Sequence, residues 1–231
     1  MGLKDDLIAS CAIVHATKWD VVAARVVPAP IDIGLGNAAK NLSQAVVLYA
    51  DLDGSTAMVD TKYWWFSAEV YKNFLNAAAK IVKSEGGVIT AYDGDRIMAI
   101  FFETNGGDAA VRAALRINWA VRNIINPAIK ARYNTDFIAR HTVGIDISDL
   151  HAVRTGVRGD NDLVWVGRAA NYAAKLTTLS TESPTWITKA VHDKLSEGLL
   201  AKDGVPIWKK WEWTSMNQHP IRSSTWELPI S

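Results

Sequence analysis

Two acidic motifs in the first half of the chain carry the residues best suited to chemistry. The first, residues 46–56, reads VVLYADLDGST, and the second, residues 86–101, reads GGVITAYDGDRIMAIF. Each motif places an aspartate, Asp51 or Asp95, beside a run of apolar residues and a glycine turn. Carboxylate oxygens are ligands that Mg²⁺ prefers, and a pair of bound cations can activate an attacking oxygen and stabilise a leaving phosphate. The motifs therefore indicate metal-dependent chemistry on a nucleoside triphosphate.

Either motif alone has a simpler interpretation. An aspartate followed by glycine and serine is typical of a turn or of a helix N-cap. The pair favours a functional site, because each aspartate borders an apolar segment. A buried apolar strand rarely carries a charge unless that charge is paired or bound to metal.

A third motif, residues 164–176, reads VWVGRAANYAAKL and predicts a short helix after Gly167. The helix would carry Asn171 and Lys175, which are four residues apart and therefore lie on the same helix face. Considered alone, these two polar residues are typical of a solvated helix surface.

In this order the three motifs resemble the class III nucleotidyl cyclases, the adenylate and guanylate cyclase family. The resemblance covers about residues 43–195, with no gap inside any motif. It implies an α+β fold, in which a ferredoxin-like, palm-type mixed sheet is covered by helices. It also implies the reaction, in which the ribose 3′ oxygen attacks the α-phosphorus, pyrophosphate leaves and a 3′,5′-cyclic nucleotide forms.

The resemblance assigns the metal and phosphate ligands to the first two motifs. Asp51 and Asp95 would hold two divalent metal ions per site, Mn²⁺ or Mg²⁺, and the carbonyl of Leu52 would be a further ligand. The triphosphate would lie on backbone N–H groups of the turn that follows, since such turns are natural phosphate sites. That turn consists of Asp53, Gly54, Ser55 and Thr56.

The third motif would supply the other half of the site. Asn171 resembles the asparagine that orients the ribose, and Lys175 stands where the family usually has arginine. Lysine keeps the positive charge but loses the bidentate fork of a guanidinium. In this family the metal half and the Asn/Arg half come from different subunits, so the resemblance implies a symmetric homodimer with two shared sites.

The base-selecting positions depart from both purine patterns of the family. Ala91 occupies the position of the adenylate cyclase lysine, and Val164 that of its aspartate; guanylate cyclases use glutamate and a small polar residue there. Neither side chain can form a hydrogen bond, whereas base discrimination needs matched polar groups. Together with the Trp-rich C-terminal segment, this resembles the pyrimidine cyclases of bacterial Pycsar anti-phage systems. The resemblance implies that UTP is favoured over CTP and that the product activates a separate cyclic-nucleotide effector.

Two other hypotheses stay open. The chain could be an adenylate cyclase with a rebuilt base pocket, or a catalytically silent nucleotide-binding dimerisation module. Degenerate cyclase domains usually lose a metal aspartate, so the presence of both Asp51 and Asp95 argues against the silent module.

Composition excludes several other classes of protein. The chain has 25 basic and 24 acidic residues, and no run of like charge indicates a nucleic-acid surface. Cys11 is its one cysteine, so an intrachain disulfide is excluded. Charges within the first ten residues speak against a signal peptide, and no apolar stretch approaches the ~18 residues needed to span a bilayer. We therefore expect a cytoplasmic protein with no membrane span.

The elements that must position these motifs follow from hydrophobic periodicity. We predict an N-terminal helical arm over residues 1–42 and a catalytic domain over 43–231 that ends in a Trp-rich hairpin. The ten tryptophans are expected mainly to pack in the core. Strands are predicted at 45–51, 88–92, 96–102, 138–147 and 185–188, with 152–157 as the hairpin partner of 138–147. Helices are predicted at 61–84, 108–132, 167–179 and 190–195.

Overall fold

The structure is a computed structural model that describes residues 2–230. Its helices are α1 (Leu3–Ala16), α2 (Ser55–Thr61), α3 (Trp64–Ser84), α4 (Gly106–Ala120), α5 (Asn126–Tyr133), α6 (Arg168–Leu176) and α7 (Lys189–His192). Its longer strands are β1 (Asp20–Ala23), β2 (Ala38–Asp53), β3 (Val88–Asp93), β4 (Arg96–Phe101), β5 (Arg140–Val157), β6 (Asp160–Val166), β7 (Thr185–Thr188), β10 (Lys209–Trp213) and β11 (His219–Ser224). A small hairpin consists of β8 (Ala201–Lys202) and β9 (Val205–Pro206).

The main sheet has the strand order β10-β11-β7-β5-β2-β4-β3. β1 pairs with the first part of β2, and β6 pairs with the last part of β5. The β1–β2 and β5–β7 pairs are parallel and the other pairs are antiparallel. The mixed sheet with its covering helices confirms the predicted α+β class.

Successive side chains of β2 point to opposite faces of the sheet, and the two faces pack against different helices. Val46, Leu48 and Ala50 pack with α3 and α4 in the largest core cluster, while Val47 packs with α6 on the opposite face. The approach of α6 requires a glycine at position 144, because a Cβ there would lie 2.2 Å from the Ala173 carbonyl oxygen. The third motif is thereby held against the strand next to β2.

Several predicted elements are confirmed, and their boundaries shift. The predicted hairpin is formed by β3 and β4, and the C-terminal hairpin is β10–β11. The predicted helix 61–84 corresponds to α3, which begins at Trp64, and the preceding helix α2 was not predicted. The predicted helix 108–132 corresponds to α4 and α5, joined by a π-helical turn at Val121–Ile125. The short strand β1 was not predicted.

The predicted pairing of 152–157 with 138–147 was wrong. Both segments belong to β5, and the hairpin partner is β6. Three of the four residues between the two segments are polar, which is typical of a loop. In the structure these residues stay in the strand, because a bulge in β2 between Leu42 and Ala45 accommodates them. There the carboxylate of Asp149 accepts hydrogen bonds from the Gln44 backbone N–H at 2.9 Å and from the Ser43 hydroxyl at 3.1 Å.

Tryptophan packing agrees in part with the prediction. Trp186, Trp208 and Trp213 are buried, whereas Trp64 is 78% exposed. Within residues 2–230, no helix is both long enough and apolar enough to cross a membrane.

Candidate active site

The two acidic motifs meet where β2 lies beside the β3–β4 hairpin. Asp51 on β2 is opposite Arg96 on β4. Asp93 pairs with Arg96, so the hairpin turn consists of Gly94 and Asp95 alone. Gly94 has a φ of +61°, a conformation that favours glycine. This tight turn brings the Asp95 carboxylate close enough to Asp51 for the two charges to repel each other.

The electrostatics of the aspartate pair suit a site that binds a cation. Burial and, after it, repulsion by Asp95 raise the pKa of Asp51, against the opposing effects of Arg96 and the Thr177 hydroxyl. The Oδ2 atom of Asp95 is buried and has no hydrogen-bond partner within the described residues. A buried oxygen of this kind calls for a bound ion or water, and two adjacent carboxylates favour an ion.

The donor set fits Mg²⁺ or Mn²⁺. Residues 2–230 contain no group of three or more histidine, cysteine, aspartate or glutamate side chains that could hold a metal. Asp51 and Asp95 would supply two carboxylates. Because the described residues offer no third one beside them, other oxygens would complete the coordination shell of the metal. Mg²⁺ is usually bound in this way, through one or two carboxylates, substrate phosphates and water. The Leu52 side chain is apolar and buried in the core, so only its backbone carbonyl could act as a metal ligand.

The turn after Asp51 has the backbone expected of it. Gly54 lies in the left-handed region at φ +67° and caps α2. Asp53 and Thr56 are exposed, and Ser55 is half-buried. The predicted phosphate-binding turn is thus open to solvent next to the aspartate pair.

Helix α6 presents Asn171 and Lys175 away from the aspartates of its own chain. Both side chains are exposed, and the Lys175 ammonium lies 3.7 Å from the Met216 sulfur. Thr177, by contrast, is buried and lies close enough to Asp51 to lower its pKa. Positions 175 and 177 are about 200° apart around a helix. Asn171 and Lys175 therefore lie on a different side of α6 from Thr177, the residue beside Asp51.

The two base-selecting positions are also far apart within one chain. Ala91 is opposite Met98, which is opposite Tyr49 on β2. Val164 is opposite Val153, which is opposite Ala39 on β2. The level of Tyr49 and that of Ala39 are ten residues apart along β2, and the bulge between Leu42 and Ala45 lies between them.

Polar groups do lie beside Ala91. The guanidinium of Arg96 is 5.9 Å from the centre of the Tyr49 ring and 3.4 Å from the Asp93 carboxylate. Burial raises the pKa of Tyr49, which therefore stays a neutral donor and acceptor at neutral pH. Asn161 on β6 is engaged away from this group, because its side-chain oxygen accepts a hydrogen bond from Arg154 at 2.7 Å.

Sequence reasoning missed two neighbours of the site, Arg140 and Thr177. Arg140 lies on β5 directly opposite Asp53, is exposed, and has no ion-pair partner in the part of the chain that the structure describes. Thr177 follows the last turn of α6. No local signal marks either residue, because strand register and helix docking bring them there.

Known proteins resemble this chain along its whole length. It is 52% identical to a uridylate cyclase from Burkholderia cepacia and 46% identical to one from Xanthomonas perforans, each over all of both chains. A uridylate cyclase from Rhodovulum sp. (strain MB263) is 32% identical, again over both full lengths. No protein-family model matches the chain.

Solved structures support the fold. A bacterial light-regulated adenylyl cyclase superimposes with a TM-score of 0.71 at 16% identity, covering 87% of this chain and 56% of that one. The guanylyl cyclase Cya2 superimposes with a TM-score of 0.65 at 15% identity, covering 80% and 91%. Fold and site together define a class III nucleotidyl cyclase. Within that class, the chain belongs to the family of the three uridylate cyclases, and it is an enzyme.

Proposed function

We propose that the chain cyclises UTP to 3′,5′-cyclic UMP and pyrophosphate, with two divalent metal ions in each of two sites shared across a homodimer. The observation that carries this proposal is the aspartate pair, in which a buried Asp95 oxygen without a partner lies beside an Asp51 whose pKa is raised. The identity of the full-length relatives supports the choice of substrate.

The chemistry of the metal half follows from its donors. Asp51, Asp95 and the Leu52 carbonyl would hold the ions, which would lower the pKa of the ribose 3′-hydroxyl and offset charge on the α-phosphate. The 3′ oxygen forms a bond to the α-phosphorus while the bond from that phosphorus to the bridging oxygen breaks. The hydroxyl proton is lost to solvent and pyrophosphate carries away the displaced electron pair. The turn of Asp53 to Thr56 orients the leaving phosphates.

The second chain would complete each site. Asn171 orients the ribose, and Lys175 neutralises phosphate charge as a point charge. Support for a shared site comes from α6, whose Asn171 and Lys175 face away from the aspartates of their own chain.

Base selection would use groups other than the two purine-selecting positions. Ala91 and Val164 offer no hydrogen bond, whereas Tyr49 and Arg96 lie next to Ala91 with polar atoms available. A site built to hydrogen-bond one base rejects analogues that leave its polar groups unpaired. We infer that the Tyr49–Arg96 pair takes part in reading the pyrimidine.

Product identification tests the proposal. The purified chain is incubated with Mn²⁺ and an equimolar mixture of the four nucleoside triphosphates, and the cyclic products are quantified by mass spectrometry. We expect cyclic UMP as the main product, cyclic CMP second and cyclic AMP minor, with no product in EDTA. Dominant cyclic AMP would indicate an adenylate cyclase with a rebuilt pocket. Absence of any product would favour the silent dimerisation module.

The wider setting is proposed from family resemblance. We expect the cyclic nucleotide to act in anti-phage defence through a separate effector, and the enzyme to work in the cytoplasm. Expression with and without phage infection, followed by measurement of intracellular cyclic UMP, would test both expectations.

A further inference from the structure

Within residues 2–230, the first helix buries none of its side chains against the rest of the chain. None of the residues of α1 is buried, and all four residues of β1 are exposed. The side-chain amide of Asn37 holds the end of α1 by donating to the carbonyls of Val14 and Thr17, both at 2.7 Å. Backbone pairing to β2 holds β1. An isolated helix of 14 residues is only marginally stable in water, so a covering surface is expected.

The uncovered surface is strongly apolar. Exposed large apolar side chains of α1 and β1 include Leu3 (75%), Leu7, Ile8, Ile13 (64%), Val14, Val21 and Val22, and Trp19 lies between the two elements. Together these eight residues form a contiguous apolar patch of the kind that marks an interaction site when it is exposed.

A second protein chain suits this surface better than a lipid bilayer. Between Leu7 and Val14 the helix carries no charged residue, and its apolar residues are spread around the helix. Helices that lie on membranes have a strongly charged face, whereas helices that are apolar all round are buried in protein.

The position of the segment selects a second copy of this chain as the partner. β1 pairs with β2 over Ala38–Asn41, and the same stretch of β2 pairs with the part of β5 that carries β6. Arg154 of β5 also donates a hydrogen bond to the Ile33 carbonyl at 3.2 Å, which ties the loop after β1 to this end of the sheet. β6 leads directly into α6, whose Asn171 and Lys175 complete the site of the other subunit under the proposed function.

We propose that the α1–β1 segment is a dimerisation element that packs on a second copy of this chain, next to the surface that completes the shared site. This inference rests on the proposed homodimer. It adds a contact outside the catalytic half-sites, which strengthens the dimer in which those half-sites combine.

The test is the dimer dissociation constant, measured by sedimentation equilibrium without nucleotide. Leu7→Glu/Val14→Glu places two charges on one face of α1, and neither residue is buried in the chain alone, so the fold should persist by circular dichroism. We expect the dissociation constant to rise by about tenfold or more, as for interface anchors. Val205→Glu, a 62% exposed apolar residue of the β8–β9 hairpin, is the matched control and should leave it unchanged.

Cys11 provides an independent reporter. It is the one cysteine of the chain, is exposed, and lies on the same helix face as Leu7 and Val14. Maleimide labelling should be slow at concentrations that favour the dimer, and fast on dilution or in the Leu7→Glu/Val14→Glu variant. A labelling rate independent of protein concentration, or a dissociation constant within about twofold of wild type, would overturn the proposal.

Vesicle sedimentation tests whether a lipid bilayer, rather than a second chain, covers the α1–β1 segment. If the wild-type chain stays monomeric and pellets with anionic phospholipid vesicles through α1, the segment is a membrane anchor and the proposal fails. None of these measurements uses a nucleotide. A dimer that depends on the α1–β1 segment but does not synthesise cyclic UMP would therefore refute only the proposed function. Cyclic UMP synthesis by an arm-independent dimer would refute only this inference.

Discussion

The guanidinium of Arg168, at the start of α6, is bound by the fully buried carboxylate of Asp146 on β5. Its Nε lies 3.0 Å from one carboxylate oxygen and a terminal nitrogen 3.3 Å from the other. The same guanidinium donates to the Ile147 carbonyl at 2.7 Å and lies 5.5 Å from the Tyr172 ring centre. This pair fixes the helix that carries Asn171 and Lys175 on the sheet.

Removing either partner should destabilise the fold, but unequally. The Asp146 side chain is 0% exposed, whereas that of Arg168 is 41% exposed and can turn to water. Arg168→Met strands a buried charge and should lower the free energy of unfolding by about 3–5 kcal/mol. Asp146→Asn loses charged hydrogen bonds and should lower it by about 1.5–3 kcal/mol. Urea unfolding measures both, and an equal or reversed order would contradict this account.

Asp51→Asn should lower the activity of the enzyme and raise the stability of its metal-free fold. Turnover should fall by about a hundredfold or more, because a metal ligand is lost. Burial and Asp95 raise the Asp51 pKa, so the ionised carboxylate is less favourable in the folded than in the unfolded chain. Removing its charge should therefore raise the metal-free Tm at neutral pH. Asp136→Asn, at an exposed carboxylate in the loop before β5, is the control and should change neither quantity greatly. Normal turnover by Asp51→Asn would refute the metal site.

Mixing two inactive variants should restore activity if the sites are shared. In a heterodimer of Asp51→Asn and Asn171→Ala chains, one site receives two intact halves, so an equal mixture should regain about a quarter of wild-type activity by random pairing in a two-fold dimer. Asp51→Asn mixed with Asp95→Asn should regain none, because both changes fall in the same half. No rescue by the first mixture, with subunit exchange confirmed, would mean that each site lies within one chain.

Installing the adenylate cyclase residues should change base preference. Ala91→Lys/Val164→Asp introduces a donor and an acceptor at two exposed positions. The ratio of kcat/KM for ATP to that for UTP should increase by about tenfold or more, since phosphate and metal contacts are common to both substrates. Each single variant is the control. An unchanged ratio would show that these positions do not contact the base.

Acid should weaken the fold through His141. Burial lowers its pKa to about 4, so the unfolded chain, with an ordinary pKa of 6.5, binds this proton more tightly. Stability is therefore complete above pH 6.5 and falls as the pH drops toward 4, by about 3 kcal/mol in all. His141→Leu should flatten this part of the profile, measured by urea unfolding at several pH values. An unchanged slope would assign the pH dependence to other groups.

The sequence by itself determined the chemistry and the fold class. Asp51 and Asp95 stand out because charges beside apolar strands need a partner, and the 3.6-residue repeat of Phe66, Val70 and Phe74 marks the buried face of α3. These signals are local, so they can be read from a few neighbouring residues. The short turn at Gly94 is equally local.

Tertiary structure alone decided which groups face one another. Residues 148–151 include three polar side chains and look like a loop, so the prediction divided β5 in two, and only the β2 bulge supplies the partners of Asp149. Nothing in the sequence places Arg140 opposite Asp53, or Arg168 on Asp146, because long-range register and helix docking set both. The position of α6 is set in the same way, because docking against β5 decides which residues of this helix lie near Asp51.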